Sequence, residues 1–399
     1  MNRLKQVADV RVSNVDKKSY EGEVPVRLCN YTDVYYGDVL RADTADYMEA
    51  TASASQIANF RLNAGDTVLT KDSETADDIG VSAFIAESAE DFVCGYHLAV
   101  VRPRTERCDP KFLSWYLRSV PARDQLSVAA TGVTRYGLRT EALANLLLDL
   151  PPLDEQRRVA DFLDDQVALL DQAIALRQQQ ISLLKERHDT FVRDVVAKAD
   201  EPAVRVVPEF PWIAGLSAAA EVKALGRILT LQRGVDLTAD ERVSGSVPVV
   251  TTGGVVGTHD TVIVPGPGVV IGRYGTVGSV FWINEGHWPH NTTLYVKDYQ
   301  GNDPKYCFYL LRAYPYERLQ ARAAVPGVNR NDMHRDQMPW LPLPLQRRAA
   351  ALLDEAVRRR DQFHQLHERS LSLLQERKRA LITAAVTGQF DVTTARSVA

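Results

Sequence analysis

Residues Leu153 to Lys198, LDEQRRVADFLDDQVALLDQAIALRQQQISLLKERHDTFVRDVVAK, decide how the chain is organised. The stretch contains no Gly and no Pro, so nothing in it interrupts a helix. At 1.5 Å of rise per residue it predicts a rod of roughly 65 Å. It also occurs twice. Gln156-Arg157-Arg158, Leu163-Asp164 and Ser182-Leu183-Leu184 with Glu186-Arg187 return as Gln346-Arg347-Arg348, Leu353-Asp354 and Ser372-Leu373-Leu374 with Glu376-Arg377. Every match has the same offset of 190 residues (346 − 156), so the copies align without a gap.

A heptad runs through the first copy. Ala160, Val167, Ile174, Ile181, His188 and Val195 occupy one seam position, and Leu163, Leu170, Arg177, Leu184 and Phe191 the other. The second copy places Ala350, Val357, His364 and Leu371 with Leu353, Arg360, His367, Leu374 and Leu381 on the same frame. Both seams are apolar at the ends and polar in the middle. The polar centre is expected to be partly wet, or to pair with carboxylates such as Asp171 or Asp361 or with groups from a docked partner, because unpaired cations in a dry seam are costly. Each helix is expected to take the other as its partner.

The chain has 399 residues, 45% apolar and 25% charged, enough for two or three folded units and too apolar for disorder. No apolar run approaches the roughly 20 residues that span a bilayer, and MNRLKQVADVRV lacks the apolar core of a secretion signal. The expectation is a cytoplasmic protein with no membrane contact. Cys29, Cys94, Cys108 and Cys307 are scattered, without metal-ligand spacing, and read as small buried apolar residues. The net charge of −4 speaks against a polycation, and residues 201–340 balance at 13 basic and 13 acidic side chains. Contact with nucleic acid would have to run through locally basic loops or be shared with a partner.

Residues 1–150 read as a lobe of short strands, VPVRLCNYTDVYYG, GDTVLTKD, VSAFIA and YHLAVVRP, with one helix over Pro110 to Val120. Leu150-Pro151-Pro152 closes the lobe and opens the first long helix, residues 151–200. The Pro-rich ADEPAVRVVPEFPWIAG reads as a linker into a second lobe, residues 201–340, which repeats the layout of the first. Pro267 to Arg273 answers Gly65 to Lys71, and Lys305 to Tyr314 answers the helix at Lys111. Pro326-Gly327-Val328-Asn329-Arg330 is expected to answer Thr131-Gly132-Val133-Thr134-Arg135. The second long helix covers 341–391, and 392–399 form a tail. The fold class is α+β: two repeated mixed lobes joined by two long helices. Helix one leads into lobe two and helix two starts from it, so the pair is an antiparallel coiled coil with pseudo-two-fold symmetry.

The tandem layout, the PPLDEQRRVADFLD opening, the SLLKER and SLLQERKRALITAAVTGQFDV endings and the GVVIGRYGTVG loop together resemble the specificity subunits of type I restriction-modification systems. The likeness extends over essentially the whole chain; helix two departs from it with Pro344-Leu345 where helix one has Asp154-Glu155. The resemblance implies two target-recognition lobes, each reading half of a bipartite site in double-stranded DNA. It also implies that the helices space the lobes and dock two methylation subunits, with restriction subunits joining through the complex. No cofactor is expected in this chain; S-adenosylmethionine, ATP and Mg would belong to the partner subunits.

A second apolar column, Phe162, Leu169, Leu176 and Leu183, precedes the seam of helix one, and Leu366 and Leu373 continue it on helix two. It either widens the buried seam or docks helices of a methylation subunit. Candidate DNA contacts lie in loops. Arg273, Tyr274 and Thr276 sit between glycines, where backbone and guanidinium can approach a phosphate or base edge. Thr70, Lys71 and Ser73 are their counterparts in lobe one. Asn291 and Thr292 lie in HWPHNTT, whose two His lack the further ligands a metal site needs. Arg135 with Tyr136, and Asn329 with Arg330, are Arg loops near the rod. Each of these could equally be an ordinary strand-connecting turn.

No GxxxxGK[ST] loop, dinucleotide fingerprint or nucleophile elbow occurs, nor the Asn-Pro-Pro-aromatic mark of adenine methyltransferases. The expected function is non-catalytic DNA reading, with a two-lobed protein scaffold that binds no DNA as the alternative.

Overall fold

The computed structural model of the chain describes every residue except 44–45, 276, 321–326 and 393–399, and the side chains of all described residues but 319 and 320. Two long helices are present, α1 (Leu153–Lys198) and α2 (Leu343–Val386). The chain divides into two compact units, and the division falls inside both helices. Met1–Arg177 with Arg369–Ala399 form the first, and Gln178–Glu368 the second. No helix among the described residues is long and apolar enough to cross a membrane.

In the first unit, strands Ala8–Val12, Leu98–Pro103, Thr67–Thr70, Ser82–Glu87 and Val39–Arg41 lie side by side in that order, all pairs antiparallel except the last. A smaller sheet pairs Val24–Cys29 antiparallel with Met48–Ala52 and parallel with Phe92–Cys94. The second unit repeats the plan. Thr230–Arg233, Thr293–Asp298, Gly268–Gly272 and Val280–Ile283 form an antiparallel sheet, and Val247–Thr251 pairs antiparallel with Gly254–His259 and parallel with Trp288–Pro289. The strand Gly268–Gly272 therefore takes the place of Thr67–Thr70, as the sequence alignment of Pro267 with Gly65 requires.

The long helices are part of the lobe cores. Val159, Ala160, Leu163 and Val167 of α1 join Ile382, Ala385 and Val386 of α2 and Phe112, Leu113 and Tyr116 of the lobe in one buried cluster. In the second unit Val192, Val195 and Val196 of α1 and Ala349, Ala350 and Leu353 of α2 are buried with Tyr306, Tyr309 and Leu310. The helices run antiparallel: in the first unit Phe162 meets Phe390 just past the end of α2, ring centroids 5.6 Å apart, and Asp171 accepts from Lys378 Nζ at 2.7 Å. The α+β fold class with two long antiparallel helices is the one the sequence predicts.

A strict heptad does not fit all of α1. Phe191, expected on the seam, is 42% exposed, while its neighbour Val192 is buried. A straight helix drifts about 20° per heptad against a 3.5-residue repeat, and four heptads rotate the seam by nearly one residue. The same drift buries Ile382 rather than Leu381 near the end of α2. In the polar centre Arg360 pairs with Asp361 at 2.6 Å, one of the two carboxylates named for this, whereas Asp171 is taken by Lys378. His364 is half exposed beside Ile181 and Leu184 of α1, and His188 is buried.

Three further expectations are corrected. YTDVYY, read as strand, is the helix Tyr31–Tyr36, because Asn30 and Asp33 form a capping box that outweighs the β-propensity of its tyrosines. The single helix expected over Pro110 to Val120 is two, Pro110–Leu117 and Val120–Ala129. The segment read as a linker packs onto the second unit, with Phe210 and Ile213, and then Leu216, buried in its core. Its prolines shape a packed loop.

Candidate nucleic-acid interface

In the second unit the strand Gly268–Gly272 ends at Arg273, whose backbone N–H donates to Thr292 O at 3.0 Å and whose carbonyl accepts from Val328 N at 2.9 Å. The 273 loop is thus stitched to the 291–292 and 327–330 segments. Arg273 Nε donates to Val328 O at 3.2 Å, and its guanidinium lies 4.4 Å from the centre of the Tyr274 ring. That ring also lies against Gly327, where a Cβ would come within 2.7 Å of it. These contacts restrain the Arg273 side chain where its strand ends.

These segments enclose a cleft of about 560 Å³ in which four of the sequence-predicted residues, Arg273, Asn291, Asn329 and Arg330, come together. The cleft also takes Gln232, Arg233 and Asp236, which the sequence reading missed. Three guanidiniums against one carboxylate make it a local cationic site in a lobe whose overall charge is balanced. Asn329 caps the helix Arg330–Arg335, its Oδ1 accepting from Asn331 N at 2.9 Å, so Arg330 stands on the first helical position. Thr292 Oγ1 lies 3.2 Å from His290 Nδ1. Tyr274 is 40% exposed. Thr276 lies outside the described residues.

The first unit builds the same frame with different chemistry. Lys71 N donates to His97 O at 3.0 Å and Lys71 O accepts from Leu138 N at 2.8 Å, matching Arg273 with Thr292 and Val328. Leu138 is therefore the equivalent of Val328. The expected pairing of Thr131 to Arg135 with Pro326 to Arg330 is corrected by several residues: Arg139 and Thr140 stand where Asn329 and Arg330 stand, and Pro326 lies outside the described residues. Identical Gly-Val dipeptides at 132–133 and 327–328 produced the false register.

Lys71 is not an open cation. Its Nζ donates to Asp72 at 2.6 Å, and His97 Nδ1 lies 2.7 Å from the same carboxylate. Burial raises the Asp72 pKa, but the bonds from His97 and Lys71 outweigh it and hold it below the ordinary carboxylate value. Thr70 is buried with its Oγ1 accepting from Val81 N at 3.0 Å, and Ser73 is buried with its Oγ accepting from Thr75 N. Thr70 and Ser73 shape the loop. Tyr136 pairs with Ser73 across a short ladder, and Arg135 lies exposed beside it.

On the long helices the second apolar column is open along most of its length. Leu169, Leu176 and Leu183 of α1 and Leu366 and Leu373 of α2 are all about half exposed or more. Phe162 differs, because Phe390 covers it.

The repeated helix openings have a structural cause that the sequence only hinted at. Gln156, buried, accepts from Asp109 N at 2.9 Å and donates to Pro151 O at 2.9 Å. Gln346, fully buried, accepts from Asp303 N at 2.8 Å and donates to Leu341 O and Asn302 Oδ1, both at 2.7 Å. Asp164 accepts from Trp115 Nε1 at 2.8 Å and Lys111 Nζ at 2.5 Å; Asp354 accepts from Tyr309 OH at 2.6 Å and pairs with Lys305 at 3.6 Å. In each unit the same Gln and Asp of a long helix tie it to the same lobe helix.

Comparison with known proteins fits this architecture. Residues 2–186 match the type I restriction modification DNA specificity domain. Over 143 residues, 36% of this chain, the sequence is 27% identical to the MjaX specificity subunit assigned to a type I restriction enzyme of Methanocaldococcus jannaschii, and the match spans about a third (32%) of that relative. A chain from a structure describing complex assembly and conformational transition of the type I R-M system has the same fold, with a TM-score of 0.72 over 98% of this chain and 97% of that one, at 16% identity.

Proposed function

We propose that this chain, which belongs to the type I restriction-modification specificity subunits, reads a bipartite site in double-stranded DNA without catalysing a reaction itself. Residues 1–150 read one half and 201–340 the other. The observation that carries the reading is the cleft of the second lobe, where Arg233, Arg273 and Arg330 converge with Asn291 and Asn329 on one concave face. Guanidinium forks suit guanine O6/N7 or a phosphate, and side-chain amides suit base edges. In the first lobe Arg135, exposed, and Tyr136, half-buried, are the residues offered to DNA, with Lys71, Asp72 and His97 holding the loop beside them.

The open column of Leu169, Leu176, Leu183, Leu366 and Leu373 suits the docking of two methylation subunits, since solvated leucines spaced at helical repeats favour a covering partner. Restriction subunits would join through that complex, and S-adenosylmethionine, ATP and Mg would be handled by the partners. The test is footprinting of the chain, purified with a methylation subunit, on fragments carrying its selected site. Two protected segments separated by an unprotected spacer are expected. Arg273→Ala should weaken specific binding by about 1–3 kcal/mol. Wild-type binding and site choice by that variant would remove the 273 loop from the interface.

A further inference from the structure

We infer that the cleft of the second lobe reads a G·C base pair, with an arginine fork on guanine and the Asp236 carboxylate on the N4 amino group of the paired cytosine. This rests on the proposed reading of that lobe as a half-site reader and adds the identity of a base pair it selects.

Asp236 is built as an aimed acceptor. It follows the end of the strand Thr230–Arg233, and the backbone there is clamped. Gly234 N donates to Thr293 O at 3.0 Å, Val235 N to Pro289 O at 2.8 Å, and Trp288 Nε1 to Val235 O at 3.2 Å. A Cβ on Gly234 would lie 2.1 Å from His290 O, so only glycine permits this approach. One carboxylate oxygen is fully engaged: Oδ1 accepts from Leu237 N at 3.1 Å and Asn291 Nδ2 at 2.6 Å, with His290 Nε2 at 3.7 Å. Oδ2 has no hydrogen bond among the described residues, and the side chain is 70% exposed. The carboxylate is anchored by one oxygen and offers the other to the cleft.

A phosphate-binding cleft would be weakened by that charge, because a carboxylate repels phosphate oxygens and partly neutralises the arginines. A base-reading cleft uses it. Guanine shows two acceptors in the major groove, which an arginine fork matches, and cytosine shows the one amino donor of the same pair, which a carboxylate accepts. Arg233 and Arg330 form no side-chain hydrogen bond among the described residues, and Arg273 is held by its Nε bond to Val328 O with its guanidinium 4.4 Å from the centre of the Tyr274 ring. The cleft thus carries one anchored arginine, two further arginines and one anchored acceptor. Phosphate offers no donor to the carboxylate, and an A·T pair sets its amino donor between two acceptors, whereas G·C sets two adjacent acceptors beside the donor, which is the order an arginine fork next to a carboxylate matches.

The experiment uses the full chain assembled with its methylation subunits, and selects bound duplexes from a random-sequence pool. The half-site that changes with Arg273→Ala is the one read by the second lobe. That half should contain a G·C pair at which 7-deazaguanine, lacking the N7 acceptor, lowers affinity roughly ten- to hundredfold. Asp236→Asn, which keeps the shape but offers a donor, should shift the cytosine position towards an acceptor-bearing base and leave the other half unchanged. Arg233→Ala serves as a second, surface variant, and melting curves confirm that each variant is folded. Sequence-selective binding in which that half shows no response to 7-deazaguanine or to Asp236→Asn overturns this inference alone. Absence of any selected sequence overturns it together with the half-site reading.

Discussion

Gln346 offers a quantitative test of how the lobes are held to the helices. It is fully buried, and its amide joins the start of α2 to the N-cap of the helix Pro304–Arg312 through Asp303 N, Leu341 O and Asn302 Oδ1. In Gln346→Ala the Asp303 N–H and the Leu341 carbonyl lose their side-chain partner, whereas Asn302 Oδ1 still accepts from Trp340 Nε1 at 2.7 Å. One buried and one part-buried group left without this partner, at about 1–2 kcal/mol each, give an expected loss of about 2–4 kcal/mol. For a unit of this size that is a fall in melting temperature of about 5–12 °C. Four of the five tryptophans lie in residues 178–368, so urea unfolding followed by tryptophan fluorescence chiefly reports this unit. Gln156→Ala should produce a similar loss in the other unit, seen by hydrogen exchange in the helix Pro110–Leu117. A loss below about 0.5 kcal/mol for Gln346→Ala would refute the claim that the repeated Gln is a structural tie.

Acid should weaken the second unit in part through His188. Burial first, then Arg360 on α2 and Arg312 on the lobe helix, hold its pKa below the ordinary value, with Asp189 opposing. The unfolded chain therefore takes up this proton at a higher pH than the native one, so the contribution is complete above about pH 6.5 and declines as the pH falls below it. Replacing His188 with Gln should flatten, but not abolish, the acid slope of urea unfolding, because burial depresses His287 and His334 as well. Lys378 Nζ meets Asp171 at 2.7 Å and Asp38 at 3.0 Å, linking α2 to α1 and to the first lobe. Lys378→Met should cost about 1 kcal/mol and make first-unit stability less dependent on salt, as titration with NaCl would show.

Much of the fold was legible because the chain writes it twice. The 190-residue offset exposed both helices, and the strands Thr67–Thr70 and Gly268–Gly272 aligned because their apolar runs end in the same kind of polar loop. Tyr31–Tyr36 was not legible, since a six-residue helix set by its cap has no periodicity to read. Phe191 misled because a heptad assumes a supercoil that this part of α1 does not keep up. At the interface, Arg273, Asn291, Asn329 and Arg330 could be named from residue type and loop position. Arg233 and Asp236 could not, because they join the cleft only through the clamp of Gly234 and Val235 on the 288–293 segment. Lys71 looked like the twin of Arg273 until Asp72 and His97 were seen to hold it.

The central claim is that each lobe reads its own half of one DNA site. Exchanging residues 1–150 for the corresponding lobe of a related specificity subunit, and mapping the sequences modified by the hybrid complex, tests it directly. The claim predicts that one half of the site changes to that of the donor while the half read by residues 201–340 stays the same. A hybrid that changed both halves, or that kept the parental site intact, would contradict it.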